Sequence, residues 1–191
     1  MIDLIKAKLS TSIEIKQAML GDGTQLAVVQ AIAETCIQAL RNGNKLMLAG
    51  NGGSASDAQH IAAELVGRFE KDRPGMSAMA LTTNSSSVTA IANDYGYDAI
   101  FQRQVEAFGR PGDVLIGLTT SGNSKNILNA LDTADEIGVT TIGMTGAGGG
   151  HMAARCKYCL RVPSNNTAHV QEVHITVGHI ICGLIEHALS A

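Results

Sequence analysis

A run of hydroxyl side chains at residues 119–124 has the composition of a phosphate-binding loop. The segment reads Thr-Thr-Ser-Gly-Asn-Ser, follows a predicted strand and opens a predicted helix. The first N–H groups of a helix attract anions, the hydroxyls add donors without adding charge, and Gly122 lets the backbone approach a ligand. The segment matches neither a Walker loop nor a dinucleotide-binding loop. The alternative is a simple helix cap, for which one hydroxyl would be enough.

A second group of residues has the chemistry to bind a metal ion or to transfer protons. His60 and Glu64 are four residues apart on a predicted helix, so their side chains lie on one face, one turn apart. Gln171 and His179 lie two turns apart on another, largely apolar helix. Together the four offer two nitrogen and two oxygen ligands, a set suited to zinc. The alternatives are a surface pair at His60 and a core histidine at His179, because spacing alone does not show that the helices meet.

Weaker patterns elsewhere also bear on ligand binding. The loop Gly52-Gly53-Ser54 resembles the hydroxyl loop in style, although glycine-rich turns between strands and helices are common. Asp94 has a side chain suited to binding sugar hydroxyls; alternatively, Asn93 and Asp94 form an ordinary helix end. Arg68 and Arg73 are either solvated charges at a helix end or groups that approach a phosphate.

The composition excludes several classes of protein. The chain has 191 residues, a net charge of -3 and no Trp, so we expect one domain with no nucleic-acid-binding surface. We recognise no signal peptide and no membrane-spanning stretch of ~20 apolar residues. Four cysteines in a chain of this size indicate an intracellular protein rather than a disulfide scaffold. Cys156 and Cys159 lead into a predicted strand, so we interpret them as buried or half-buried thiols rather than as a redox pair.

The order of elements predicts a parallel sheet covered by helices on both faces. In such sheets, ligands bind beyond the carboxyl ends of the strands, where the hydroxyl-rich and glycine-rich loops are expected to lie. The fold class is therefore α/β, a three-layer sandwich with a five-stranded parallel sheet of the flavodoxin-like kind. The strands are predicted near residues 45–49, 78–81, 113–118, 140–144 and 158–162, with helices at about 56–69 and 126–137 and a long C-terminal helix.

Two helical stretches precede the sheet. Apolar residues at helical spacing predict helices over residues 1–19 and 27–40, separated by Gly21-Asp22-Gly23. This hairpin has no evident place in the layers of the sheet, so we expect its apolar stripe to pack on another subunit. Residues 1–191 are expected to form a single domain, with the hairpin at 1–43 and the α/β core at 44–191.

Seven short motifs occur in order along the chain. They are Gly50-Asn-Gly-Gly-Ser54, Asp57-Ala-Gln-His60, Glu64-Leu-x-Gly-Arg68, Arg73-Pro-Gly75, Asn93-Asp94, Thr120-Ser-Gly-Asn-Ser124 and Gln171-Glu-x-His174. With these motifs the chain resembles the phosphoheptose isomerases, single-domain members of the sugar isomerase (SIS) family. The hydroxyl-rich loop marks the wider family of phosphosugar binders, whereas the histidine and carboxylate set is more specific to the heptose isomerases.

The resemblance implies an intramolecular oxidoreductase that converts sedoheptulose 7-phosphate to D-glycero-D-manno-heptose 7-phosphate through an enediol. That step begins the synthesis of the ADP-heptose used in the lipopolysaccharide core. The resemblance also implies a cytoplasmic homotetramer with active sites at subunit interfaces. One Zn²⁺ per subunit would be held by His60, Glu64, Gln171 and His179, and Glu64 and His179 match the acid/base pair. The matching substrate contacts are Asn51, Gly52, Gly53, Glu64, Asn93, Asp94, Thr119, Thr120, Ser121, Ser124 and Gln171.

Two points separate this chain from a simple family assignment. His169 stands where the family often has Arg, and Glu64 would have to serve both as a zinc ligand and as a base.

A related SIS protein is a non-catalytic tetrameric adaptor that binds the bacterial replication initiator, with small or amide side chains at the acid/base positions. The presence of Glu64 and His179 favours the enzyme over this alternative. A different sugar phosphate is a further alternative, since pocket size is not readable from sequence.

Overall fold

The computed structural model describes residues 1–190, which form seven α-helices and five strands. The helices are α1 (Ile2–Gly21), α2 (Gly23–Arg41), α3 (Gly53–Val66), α4 (Ser85–Tyr95), α5 (Gln102–Phe108), α6 (Lys125–Glu136) and α7 (Thr167–Leu189). The strands are β1 (Leu46–Gly50), β2 (Ala78–Ala80), β3 (Val114–Leu118), β4 (Thr140–Thr145) and β5 (Tyr158–Arg161). Among the described residues, no helix combines the length and the apolarity that crossing a membrane requires.

The five strands form one parallel sheet in the order β2-β1-β3-β4-β5. This arrangement confirms the predicted α/β fold of the flavodoxin-like kind. After β1 the chain adds β2 on one side, and the later strands are added on the other side of β1. The order therefore reverses between β1 and β3, whose carboxyl ends open into one crevice. Ligands of open α/β sheets bind at such a reversal.

The core has two halves because side chains alternate across each strand. In β1, Leu46 and Leu48 contribute to the half covered by α2, α3 and α7, whereas Met47 and Ala49 contribute to the half covered by α5 and α6. Every residue of β1 and β3 is buried, as expected for central strands covered on both faces.

The N-terminal helices differ in how they pack. Helix α2 buries Ile32 and Cys36 in the core, so it takes a place in the layers that the sequence did not suggest. Helix α1 buries Met19 and leaves a stripe exposed that includes Leu9 and Ile13. Helix α2 begins at Gly23 rather than at the predicted residue 27, because Asp22 caps the helix by accepting the N–H groups of Thr24 and Gln25.

Candidate active site

A cavity of about 300 Å³ opens at the carboxyl ends of β1 and β3. Eight of the predicted substrate contacts lie in its wall: Asn51, Gly52, Gly53, Thr119, Thr120, Ser121, Ser124 and Gln171. The loop after β1, the loop after β3 and the first turns of α7 all contribute. Larger concavities exist between α2 and the amino ends of the strands and along α1 and α7, but they lie away from the edge where this fold binds ligands.

The hydroxyl loop, residues 119–124, is not a simple side-chain cap of α6. Ser124 precedes α6, and its hydroxyl is bonded to the hydroxyl of buried Thr119 at 2.8 Å rather than to the first turn of the helix. Gly122 has φ = +69°, and a Cβ there would collide with the carbonyl of Gly149. The loop is thus held against the neighbouring loop, and Ser124 at its end, which precedes α6, lies in the cavity wall.

A network of amides holds the glycine-rich loop after β1. Asn51 and Asn126 exchange two side-chain hydrogen bonds of 3.0 and 2.8 Å, and the hydroxyl of Tyr97 donates to Asn51 Oδ1 at 2.9 Å. The side-chain amide of Gln171 lies against the backbone of Gly53. The first turns of α3 and α7 therefore meet at the cavity, with Gln171 in its wall.

His60, Glu64 and His179 converge farther along the same two helices. Nε2 of His60 lies 3.0 Å from Nε2 of His179 and 3.1 Å from Oε1 of Glu64. One potential ligand atom from each residue lies within 4.8 Å of the others. The side chain of His60 is 52% exposed and that of Glu64 is 23% exposed, so the group can be reached from solvent.

This group fits a zinc ion. Zinc–ligand bonds of ~2.0–2.1 Å in a tetrahedron place two ligand atoms roughly 3.3 Å apart, close to the spacing found between the two imidazole nitrogens. Two imidazoles and a carboxylate are also a usual donor set for zinc that keeps a fourth position for another ligand. The three side chains could therefore hold the ion after only small movements.

The remaining predicted residues lie elsewhere. Asn93 and Asp94 are on α4, away from the cavity wall, and the amide of Asn93 donates to Asp94. Arg73 does not approach a phosphate: its side chain is 3% exposed and pairs with buried Glu186. His169 is buried, with Nδ1 at 3.5 Å from Glu172.

Several features of the site escaped the sequence analysis. The ring of Phe69 stacks on His179 with a centroid distance of 5.7 Å, and Tyr97 reaches Asn51. Neither residue belongs to a motif that signals its role.

The prediction for Cys156 and Cys159 is confirmed, since both are free thiols of intermediate burial. Burial raises the pKa of Cys156 to about 12, which keeps that thiol protonated.

Comparisons with known proteins agree with this geometry. Residues 16–146 match the model of the SIS domain. The chain is 52% identical to the phosphoheptose isomerase of Aneurinibacillus thermoaerophilus, over 99% of this chain and 96% of that protein. The structure of a phosphoheptose isomerase from Neisseria gonorrhoeae matches with a TM-score of 0.91 and 42% identity, over 97% of this chain and 98% of that one. A phosphoheptose isomerase from Francisella tularensis matches with a TM-score of 0.93 and 35% identity, over the same shares. The chain therefore belongs to the phosphoheptose isomerases, which are sugar phosphate isomerases of the SIS domain family.

Proposed function

We propose that this enzyme interconverts sedoheptulose 7-phosphate and D-glycero-D-manno-heptose 7-phosphate. The observation that carries the proposal is the separation between the cavity and the histidine and carboxylate group. Along α3, His60 is seven residues beyond Gly53, a rise of about 10 Å; along α7, His179 is eight residues beyond Gln171, a rise of about 12 Å. An open seven-carbon chain with C–C bonds of about 1.5 Å spans roughly this distance from its phosphate to C1 and C2.

The cavity supplies the phosphate end of this arrangement. Its wall offers the hydroxyls of Thr119, Thr120, Ser121 and Ser124 together with the N-terminal N–H groups of α6. These donors bind a dianion through hydrogen bonds and the helix dipole, without a lysine or arginine in the wall. In the proposal, Asn51, Gly52, Gly53 and Gln171 contact the sugar phosphate in the cavity. Asn93 and Asp94 lie outside this wall and are assigned to the sugar hydroxyls on the family resemblance alone.

The group of His60, Glu64 and His179 supplies the proton transfers. An aldose–ketose shift needs a base that removes a proton from one of the two carbons and an acid that protonates the oxygen as the enediol forms. We assign Glu64 and His179 to these roles, because both side chains lie at the C1–C2 end of the proposed binding mode and are partly exposed to it. The 3.1 Å contact with His60 orients the Glu64 carboxylate.

The same group is proposed to hold one Zn²⁺ per subunit. His60, Glu64 and His179 would be ligands, and Gln171 is assigned as the fourth on the family resemblance; its side chain would have to turn away from Gly53. Bound zinc would polarise the substrate carbonyl and so stabilise the oxyanion that develops during proton removal. Glu64 is thus assigned both as a ligand of the ion and as the base, unless zinc would serve mainly to hold the group together.

The wider context of the enzyme is part of the proposal. Residues 1–191 are proposed to act as one SIS domain that assembles into a homotetramer, since α1 exposes an apolar stripe including Ile5, Leu9 and Ile13. All four cysteines are free thiols, which is consistent with a location in the cytoplasm. The product would enter the synthesis of ADP-heptose for the lipopolysaccharide core.

NMR spectroscopy of the purified protein with sedoheptulose 7-phosphate tests the proposal. The aldoheptose signal is expected to appear, faster after zinc is added to protein treated with a chelator. Glu64→Gln serves as a matched control that retains the size of the side chain but not its charge. If folded wild-type protein gives no conversion with or without zinc, the proposed reaction is wrong, and another sugar phosphate or the adaptor function becomes the better explanation.

A further inference from the structure

The segment that follows α3 folds over a buried carboxylate. Glu186 of α7 is 2% exposed and accepts the backbone N–H groups of Phe69, Glu70 and Lys71 at 3.2, 2.8 and 2.9 Å. Nε of Arg73 donates to the same carboxylate at 3.1 Å. One side chain of α7 thus holds the start of the connection between α3 and β2.

The other nitrogens of the Arg73 guanidinium bind the end of α3. Nη2 donates to the carbonyl of Glu64 at 2.8 Å, and Nη1 donates to the carbonyls of Leu65 and Gly67 at 2.7 and 3.0 Å. The last carbonyls of a helix lack partners within the helix, so a buried cation is well placed to satisfy them. Arg73 therefore connects the backbone of Glu64 directly to α7.

The same carboxylate also acts on His179. Glu186 lies seven residues beyond His179, two turns along the same face of α7. By binding the N–H of Phe69 it holds the aromatic ring that stacks on the imidazole of His179, with an interplanar angle of 25°. Arg73 therefore contacts the backbone of Glu64, and Glu186 holds the ring that stacks on His179. Glu64 and His179 are the two residues assigned to proton transfer.

The pair is ionised in the folded protein. Burial by itself would raise the pKa of Glu186, but the backbone N–H donors of Glu70, Lys71 and Phe69 and the charge of Arg73 outweigh it, and the pKa is lowered. Buried ion pairs seldom add net stability compared with an apolar packing of the same volume. A role in geometry accounts for the pair better than a role in stability alone.

We infer that Arg73 and Glu186 are positioning residues that set the distance between Glu64 on α3 and His179 on α7. The inference rests on the proposed function only for the statement that these two residues transfer protons. It requires that loss of the pair slows the chemical step and leaves phosphate binding intact, because the hydroxyl loop at β3 and α6 makes no contact with the pair.

Glu186→Gln is the first test, with Asp113→Asn as a matched control. Asp113 is also a buried carboxylate that accepts two backbone N–H groups, from Lys45 and Arg110, and pairs with the Lys45 ammonium. It lies just before β3, at the amino ends of the strands, whereas the site lies at their carboxyl ends. We expect Glu186→Gln to lower kcat at least tenfold with KM within twofold of wild type, and Asp113→Asn to change neither. Equal kcat in the two variants would overturn the inference.

A second readout needs neither substrate nor metal. Long-range ¹H–¹⁵N spectra report the imidazole nitrogens, and His60→Gln and His179→Gln assign the two relevant signals. Those signals should shift in Glu186→Gln and stay in place in Asp113→Asn; unchanged signals in Glu186→Gln would refute the positioning role. If wild-type protein does not isomerise heptose phosphate, the proposed function fails, but this comparison still decides the inference.

Phe69→Leu covers the possibility that Glu186→Gln does not fold. It removes the ring that stacks on His179 and keeps the backbone N–H bonded to Glu186. We expect a severalfold loss of kcat, an unchanged KM and a shifted His179 signal, with the His60 signal less affected. Wild-type kcat together with an unshifted His179 signal would show that the stacking of Phe69 does not position His179.

Discussion

Gly178 of α7 faces Ile61 of α3 so closely that a Cβ at position 178 would lie 2.6 Å from Ile61 Cδ1. Gly178 precedes His179 in the chain, and Ile61 follows His60. The Nε2 atoms of these two histidines are 3.0 Å apart. The close approach of the two helices at a glycine therefore helps to bring together the side chains that we propose bind the metal ion. Glycine in a helix interior lowers stability by about 1 kcal/mol relative to alanine. The close contact with Ile61 accounts for a glycine at position 178.

Gly178→Ala is expected to lower kcat about tenfold or more. The added methyl group displaces Ile61 or separates the helices, and a misplacement of 1 Å at reacting groups costs up to about 100-fold in rate. The expected gain in helix propensity is offset by overpacking, which costs typically 1–3 kcal/mol. Steady-state kinetics and chemical denaturation measure both effects.

Gly183→Ala is the matched control on the same helix. A Cβ there meets Phe69 at 3.5 Å, an ordinary contact, so the variant should gain up to about 1 kcal/mol in the free energy of unfolding and keep its activity. If Gly178→Ala were as active as Gly183→Ala, the close approach of α3 and α7 would not govern the site.

Glu64→Gln and His179→Ala should each lower turnover by about 10²–10⁴-fold, the contribution of a general acid or base. Binding of the sugar phosphate should largely survive, because the hydroxyl loop that we propose binds the phosphate is unchanged. Turnover is measured with zinc in excess, so that weaker metal binding does not account for the loss, and calorimetry measures binding. Glu106→Gln, an exposed carboxylate paired with Arg103 on α5, should behave as wild type. Wild-type rates in either site variant would remove the role assigned to that residue.

The parts of the site that are local in sequence could be predicted. The hydroxyl loop at residues 119–124 and the glycine-rich loop at 51–54 each follow a strand and open a helix, and a parallel sheet brings such loops to one edge. The i, i+4 spacing of His60 and Glu64 likewise placed them on one face of α3. The proposed substrate and the proposed zinc ion came from the family resemblance, because spacing alone indicates neither the sugar nor the metal.

Relations between distant residues could not be predicted. His60 and His179 are 119 positions apart, and nothing in the sequence states that Gly178 lets their helices meet. His174 and His179 lie on the same apolar helix, yet His174 is a core residue and His179 reaches the site, because only the packing of α7 distinguishes the two faces. Arg73 resembled a solvated or phosphate-binding charge, since its buried partner is 113 residues away. Helix α5 was missed because it is only seven residues long.

Ser124→Ala should raise KM and leave kcat unchanged. The Ser124 hydroxyl is part of the cavity that we propose binds the phosphate, about 10 Å from the reacting carbons. A hydrogen bond to a charged group contributes about 1.5–3 kcal/mol, so KM should rise roughly 10- to 100-fold. Inorganic phosphate should inhibit the variant more weakly by a similar factor. Thr35→Ala on α2 removes a hydroxyl that bonds only the Ala31 carbonyl and is the control. A loss of kcat at constant KM would contradict phosphate binding by this loop.

Buried His174 makes the stability of the protein depend on pH. Its Nε2 lies 3.4 Å from the carbonyl of Thr145, and its Nδ1 has no hydrogen-bond partner among residues 1–190. Burial, only partly offset by the bond to that carbonyl, lowers its pKa from 6.5 to about 4. Between these two pH values the unfolded chain binds a proton that the folded protein does not, so the free energy of unfolding falls as the pH falls. The loss is about 2 kcal/mol at pH 5 and about 3 kcal/mol at pH 4, close to its full size.

Chemical denaturation at pH 7.5 and pH 5 measures this loss. His174→Gln keeps a donor for the Thr145 carbonyl and cannot take up a proton, so its free energy of unfolding should fall by about 2 kcal/mol less than that of wild type between the two pH values. His151→Gln, which replaces an exposed histidine, should retain the wild-type dependence. Other groups that titrate in this range contribute equally to all three proteins, so the difference isolates His174. An identical loss in wild type and His174→Gln would mean that His174 is protonated in the folded state as readily as in the unfolded chain.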